Sequence, residues 1–184
     1  MAFSPKITLV TALLLLTACR SDPIQFHTLT PAQLSGASSS ADIQIEAITV
    51  PPQVDRPQIV IRQGKSGLAI LETEWWAATL VDELRSALVD QLVNSDPQRR
   101  VSLRLNVQRF DSIPGQYALI DVKWRLRKLG AGDNPPITCR STLQTASGAS
   151  IDDLVAAHQN NVKRLAALIS QATAATSRGC PAAR

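Results

Sequence analysis

Two periods of apolar residues run through the chain. Val101, Leu103, Leu105 and Val107 alternate with Ser102, Arg104, Asn106 and Gln108, the period of two expected of a strand with one buried face. Ala118, Ile120, Val122, Trp124 and Leu126 repeat the alternation against Leu119, Asp121, Lys123, Arg125 and Arg127, and Ile137, Cys139, Ser141 and Leu143 mark a weaker third strand. The short connections at Ile113-Pro114-Gly115-Gln116 and Gly130 to Pro136 predict an antiparallel meander. Further strands are predicted at Ile24 to Leu29, around Ile43, Ile45 and Ala47, at Gln58 to Arg62 and at Leu68 to Leu71.

The period then lengthens. Trp76, Leu80, Leu84, Leu88 and Leu92 form a row at intervals of four, which predicts an amphipathic helix. Thr73 is placed at its cap and Glu74 in its first turn, where the helix dipole favours an anion. Asp82, Glu83, Ser86 and Asp90 are expected on its solvent side, and Asn94 to Pro97 ends it. A second helix, about Ile151 to Ala175, carries Leu154, Val155, Val162, Leu165, Leu168, Ile169 and Ala172 on one stripe, with Ser150 and Asp153 resembling a capping box. The predicted fold is α+β: an antiparallel sheet, meander plus N-terminal strands, with two helices packed on one face.

The first residues belong to export rather than to the fold. Lys6 precedes an apolar run from Ile7 to Leu16, which as a helix spans only about 15 Å and is too short for a bilayer. Leu16-Thr17-Ala18-Cys19 follows and resembles the lipobox of bacterial lipoproteins, making Cys19 the lipidated first residue of the mature chain. Arg20 lacks the Asp that retains enterobacterial lipoproteins in the inner membrane, which favours an outer-membrane anchor facing the periplasm. The organisation expected is a signal peptide over 1–18, an anchored segment and linker over 19–41, one α+β domain over 42–176 and a tail over 177–184. With Cys19 acylated, Cys139 and Cys180 remain, and an oxidising compartment gives them a pairing option.

Composition excludes more than it assigns. The 184 residues are 45% hydrophobic and 18% charged, neither a disordered chain nor a polytopic membrane protein. Aromatics are 4%, so the core rests on aliphatic side chains. A net charge of +4 is too weak to indicate nucleic acid. There is no Gly-rich phosphate loop and no C-x-x-C pair, so no cofactor or metal is expected. His27 and His158 are the only histidines, and no G-x-S-x-G accompanies them; enzyme activity is not expected. One charged feature is sharper: Lys123, Arg125 and Arg127 share one side of a strand, and Arg104 lies on the matching side of its neighbour. A solvated sheet face and a surface for a partner or lipid headgroups both fit that pattern.

Short motifs then follow in order: the lipobox at Cys19, Phe26-His27-Thr28-Leu29, Val50-Pro51 to Arg62 with Asp55-Arg56-Pro57, Glu74-Trp75-Trp76-Ala77, Phe110-Asp111 with Gly115, and Trp124. In this succession the chain resembles the PqiC-type family, auxiliary lipoproteins of ABC transporters that work with MCE-domain proteins. It departs from the family where Phe26-His27 replaces an aromatic pair and Thr79 stands at a frequent Pro. The resemblance implies a non-enzymatic lipoprotein whose partner is an MCE-domain periplasmic protein carrying lipids or other hydrophobic molecules, docked at the outer membrane; a homo-oligomer is left open. A structural or assembly lipoprotein without lipid traffic is the rival reading, and a hydrolase using His158 a remoter one.

Overall fold

The computed structural model describes residues 22–32, 37–39, 41–94, 100–130, 135–174 and 179–181. Cys19 and the lipobox lie outside the described residues. Among the described residues, nine strands and two helices follow one another: β1 (Gln25–His27), β2 (Ala37–Ser39), β3 (Asp42–Thr49), β4 (Gln58–Gln63), β5 (Gly67–Trp76), α1 (Leu80–Gln91), β6 (Leu92–Asn94), β7 (Arg100–Ile113), β8 (Tyr117–Lys128), β9 (Ile137–Ala146) and α2 (Ile151–Ala174).

A four-stranded sheet in the order β3-β7-β8-β9 carries the main core, beside a three-stranded sheet β1-β5-β4 and a two-stranded pair β2-β6. The meander β7-β8-β9 is antiparallel, whereas β3 joins β7 in parallel. A parallel neighbour needs a crossover, and β4, β5 and α1 supply it. β1 is likewise parallel to β5, with Phe26 opposite Trp75. The α+β class therefore holds with some parallel pairs, which alternation along one strand does not specify. β2 also pairs with β6 inside the segment expected to be a linker.

Two elements differ from their predicted limits. The strand β5 continues to Trp76, and α1 starts at Leu80, with the Thr79 hydroxyl accepting the Asp82 amide. Thr79, not Thr73, is the cap. Trp76 falls in phase with the helical row but is held in strand geometry, its amide donating to the Pro57 carbonyl at 2.6 Å. In β7 the register with β8 shifts between Val107 and Arg109. That bulge moves the buried side from odd positions (Val101, Leu103, Leu105, Val107) to Phe110 and Ser112, so the strand runs on where simple alternation stops. The β7-β8 hairpin closes through Gly115 at φ +75°, a conformation costly for any side chain with a Cβ.

Both helices cover the same face of the four-stranded sheet, where Leu103, Ile120, Val122 and Trp124 meet Leu84, Leu88, Leu165 and Ile169 in one cluster. Glu83, expected in solvent, is buried. Its carboxylate accepts the Thr28 hydroxyl and the Leu29 amide, both at 2.8 Å, tying the chain after β1 to α1. Gln159 of α2 donates to the Thr28 carbonyl at 2.9 Å. Among the described residues no helix is long and apolar enough to cross a membrane.

Candidate functional site

The sheet face turned away from the helices is polar. As Val122, Trp124 and Leu126 enter the core, Lys123, Arg125 and Arg127 are driven outward. The register sets Arg104 directly opposite Arg125, Ser102 opposite Arg127 and, on the other side, Arg140 opposite Lys123. The four predicted residues therefore share one face, joined by Arg140, which sequence reasoning missed. Arg140 follows Cys139 in the weakest strand of the meander, and only the strand register brings it alongside Lys123.

Like charges facing each other across a ladder oppose folding by a few tenths of a kcal/mol to about 1 kcal/mol, and two such pairs occur here. Carboxylates compensate at the margins only. Glu46 accepts Arg104 at 2.6 Å, and that hydrogen bond holds its carboxyl below the ordinary value. Asp121 accepts Arg140 through both oxygens at 2.8 and 2.5 Å, and this contact likewise lowers its carboxyl despite burial. Among the described residues, Lys123, Arg125 and Arg127 have no carboxylate within ion-pair distance. The result is an exposed basic row along β8, flanked by neutralised pairs.

Beyond the bulge lies an open cleft of about 180 Å³, walled by Val54, Val60, Leu68 and Phe110. Asp111 sits within it, receiving Arg62 at 2.9 Å and also pairing with Arg109, so one carboxylate ties β4 to β7. Behind Phe110, His158 stacks at 4.0 Å between ring centroids and meets the edge of Trp76. Its Nε2 is hydrogen-bonded to the Ser112 hydroxyl at 2.8 Å, while Nδ1 has no partner among the described residues. Burial pulls its pKa down to about 3, with the Asp111 charge acting in the opposite direction. Such an imidazole is a weak base, and among the described residues no carboxylate orients it from Nδ1. Buried and stacked on Phe110, it packs in the core.

The remaining singled-out residues are structural in position. Pro57 receives the Trp76 amide; Asp55 is exposed and Arg56 half-buried. Trp76 packs against Phe110, and Trp124, buried, donates its indole N–H to Ser141 at 3.0 Å. Cys139 and Cys180 are joined as a disulfide, their Cα atoms 5.6 Å apart. His27 contacts Glu74 at 2.6 Å. Among the described residues no group of His, Cys, Asp or Glu is arranged to hold a metal ion.

Two solved structures share this fold. One, an uncharacterized protein, is 17% identical with a TM-score of 0.64, the match covering 82% of this chain and 98% of the other. The second, from Xanthomonas campestris, is also 17% identical, with a TM-score of 0.56 over 83% of this chain and 94% of its own. No curated protein matches the chain. The family model for the ABC-type transport auxiliary lipoprotein component matches residues 25–170, from β1 through most of α2, and the chain belongs to that family.

Proposed function

We propose that the chain is the non-enzymatic, outer-membrane-anchored subunit of an ABC-type transport system, docking an MCE-type periplasmic conduit for lipids or other hydrophobic molecules. Membership of the auxiliary lipoprotein family supports the transport role, and the sequence resemblance to PqiC-type proteins supports the MCE partner. The observation that carries the docking mode is the β8 row Lys123, Arg125 and Arg127, exposed and with no carboxylate in ion-pair contact among the described residues, although Arg127 acts on Glu46 at longer range. Cross-strand repulsion retained on a surface weakens the fold, and an acidic rim on the conduit would relieve it.

The test is association of the acylated protein with the MCE protein encoded in the same genome, comparing wild type with the double variant Arg125→Glu and Arg127→Glu. Binding is expected to fall about tenfold or more at low salt, equivalent to about 1.4 kcal/mol, and the difference should shrink as salt screens it. The fold should not suffer, because Glu at 125 faces Arg104 and turns a repulsive pair into an attractive one. Undiminished binding rejects the basic face. Absence of binding by wild type rejects the MCE assignment and returns the protein to a structural role.

A further inference from the structure

Of the five large apolar side chains left in solvent among the described residues, Ile24 (45% exposed) and Phe26 (65%) stand together in β1 and its lead-in, whereas Leu68 and Ile70 lie toward the opposite end of β5 and Val89 in α1. Phe26 meets Trp75 edge to face, ring centroids 6.4 Å apart. The indole N–H of Trp75 is satisfied within its own strand, donating to the Glu72 carbonyl at 2.9 Å. An aromatic pair with its polar group already bonded can leave water without an unmet hydrogen bond.

The chain length upstream selects the occupant. Cys19 precedes Ile24 by five residues and Phe26 by seven; fully extended, these span at most about 18 and 25 Å. If Cys19 carries the acyl chains, Ile24 and Phe26 can never stand farther than that from the bilayer surface. The neighbouring charges do not ask for anionic lipid. His27 is engaged with Glu74, and Asp22 and Glu72 are exposed beside the patch.

We infer that Ile24, Phe26 and Trp75 form a membrane seat, resting in the headgroup boundary of a zwitterionic bilayer and fixing how the tethered domain stands on it. The contact is hydrophobic, so unlike the β8 row it is insensitive to salt. This rests on lipidation at Cys19 and adds a second, non-covalent attachment to it.

The molecule supplies its own reporter, since Trp76 and Trp124 are buried and Trp75 alone is partly open. The acylated mature protein, reconstituted into phosphatidylcholine vesicles, is compared in ordinary lipid and in lipid brominated along the acyl chains. Brominated lipid should quench the share of emission that Trp75→Phe removes, equally at low and high salt, and Phe26→Ser should at least halve that quenching. Protein that floats with the vesicles but is not quenched overturns the seat while leaving lipidation intact. Trp75 unquenched by lipid but shielded from aqueous acrylamide by a second copy or a protein partner assigns the patch to protein contact and also overturns it. Protein that does not float overturns both readings.

Discussion

Acid should destabilise the fold through a single buried side chain. His158 is neutral in the folded protein, its pKa about 3, whereas an unfolded chain exposes an ordinary histidine near 6.5. Between these values only the unfolded state takes up the proton, so stability is lost as pH falls below 6.5. At pH 5 the unfolded imidazole is about 97% protonated and the folded one almost wholly neutral, which amounts to about 2 kcal/mol relative to pH 7.5. Asp121, whose folded carboxyl is lowered mainly by Arg140, contributes stability that is present above about 4 and disappears only below it. It leaves the window from 6.5 to 4.5 untouched. Urea unfolding followed by tryptophan emission at pH 7.5, 6 and 5 measures the effect. His158→Gln keeps an amide within reach of Ser112 and removes the titration, so its stability should change far less over the same range, while His27 is common to both proteins. A variant that loses the same 2 kcal/mol as wild type would refute the reasoning.

Intact mass of the membrane-extracted protein should show cleavage before Cys19 plus acyl chains, and Cys19→Ala should release the domain from the membrane. Thiol alkylation should label Cys139 and Cys180 only after reduction. Removing their bridge, which links positions 41 residues apart, should lower stability by about 3–4 kcal/mol on loop entropy alone, read as a reduced urea midpoint of Cys180→Ser. Glu83→Ala deprives the Thr28 hydroxyl and the Leu29 amide of their acceptor and should cost about 1–3 kcal/mol, with faster amide exchange at Leu29.

Where a residue's side alone decided its place, the sequence was legible. Alternation from Val122 to Arg127 assigned the core and surface positions of that half of β8, and with it the outward row Lys123, Arg125 and Arg127, but Leu119 and Asp121, placed on the polar side, are buried. The row needed its neighbours before its chemistry could be seen: the opposition of Arg104 to Arg125 and of Arg140 to Lys123 is a matter of register, set by turns and by partner strands. Glu83 was misplaced for a similar reason. A carboxylate between Asp82 and Leu84 looks like a solvent-facing charge until a segment 54 residues earlier brings two donors to it. Thr73 and Thr79 are both acceptable caps on propensity; pairing of β5 with β1 and β4 takes residues through Trp76 into a sheet and leaves Thr79 to start the helix. The bulge after Val107 disguised the length of β7, because one extra residue inverts the phase of everything after it.

These contacts also bear on how the domain is carried. The strand nearest the anchor would ordinarily be the first to fray, being three residues long and at a sheet edge. Here the residues that follow it are held on three sides: Glu83 of α1 takes Thr28 and Leu29, Gln159 of α2 takes the Thr28 carbonyl, and the His27 carbonyl receives the Ala77 amide at 2.8 Å. Displacement of β1 would therefore require breaking bonds to both helices, and the helices share a core with the sheet that bears the basic row. Five residues, Arg20 to Ile24, lie between Cys19 and that clamped strand; with Cys19 as the lipidated residue, they are too few to let the domain roam far above a bilayer. A short tether ending in a clamped strand transmits the position of the membrane to the rest of the fold, whereas a long tether on a frayed strand would absorb it. On this reasoning, loosening the clamp through Glu83→Ala should weaken the membrane seat of Phe26 and Trp75 and leave the basic face of β8 unchanged.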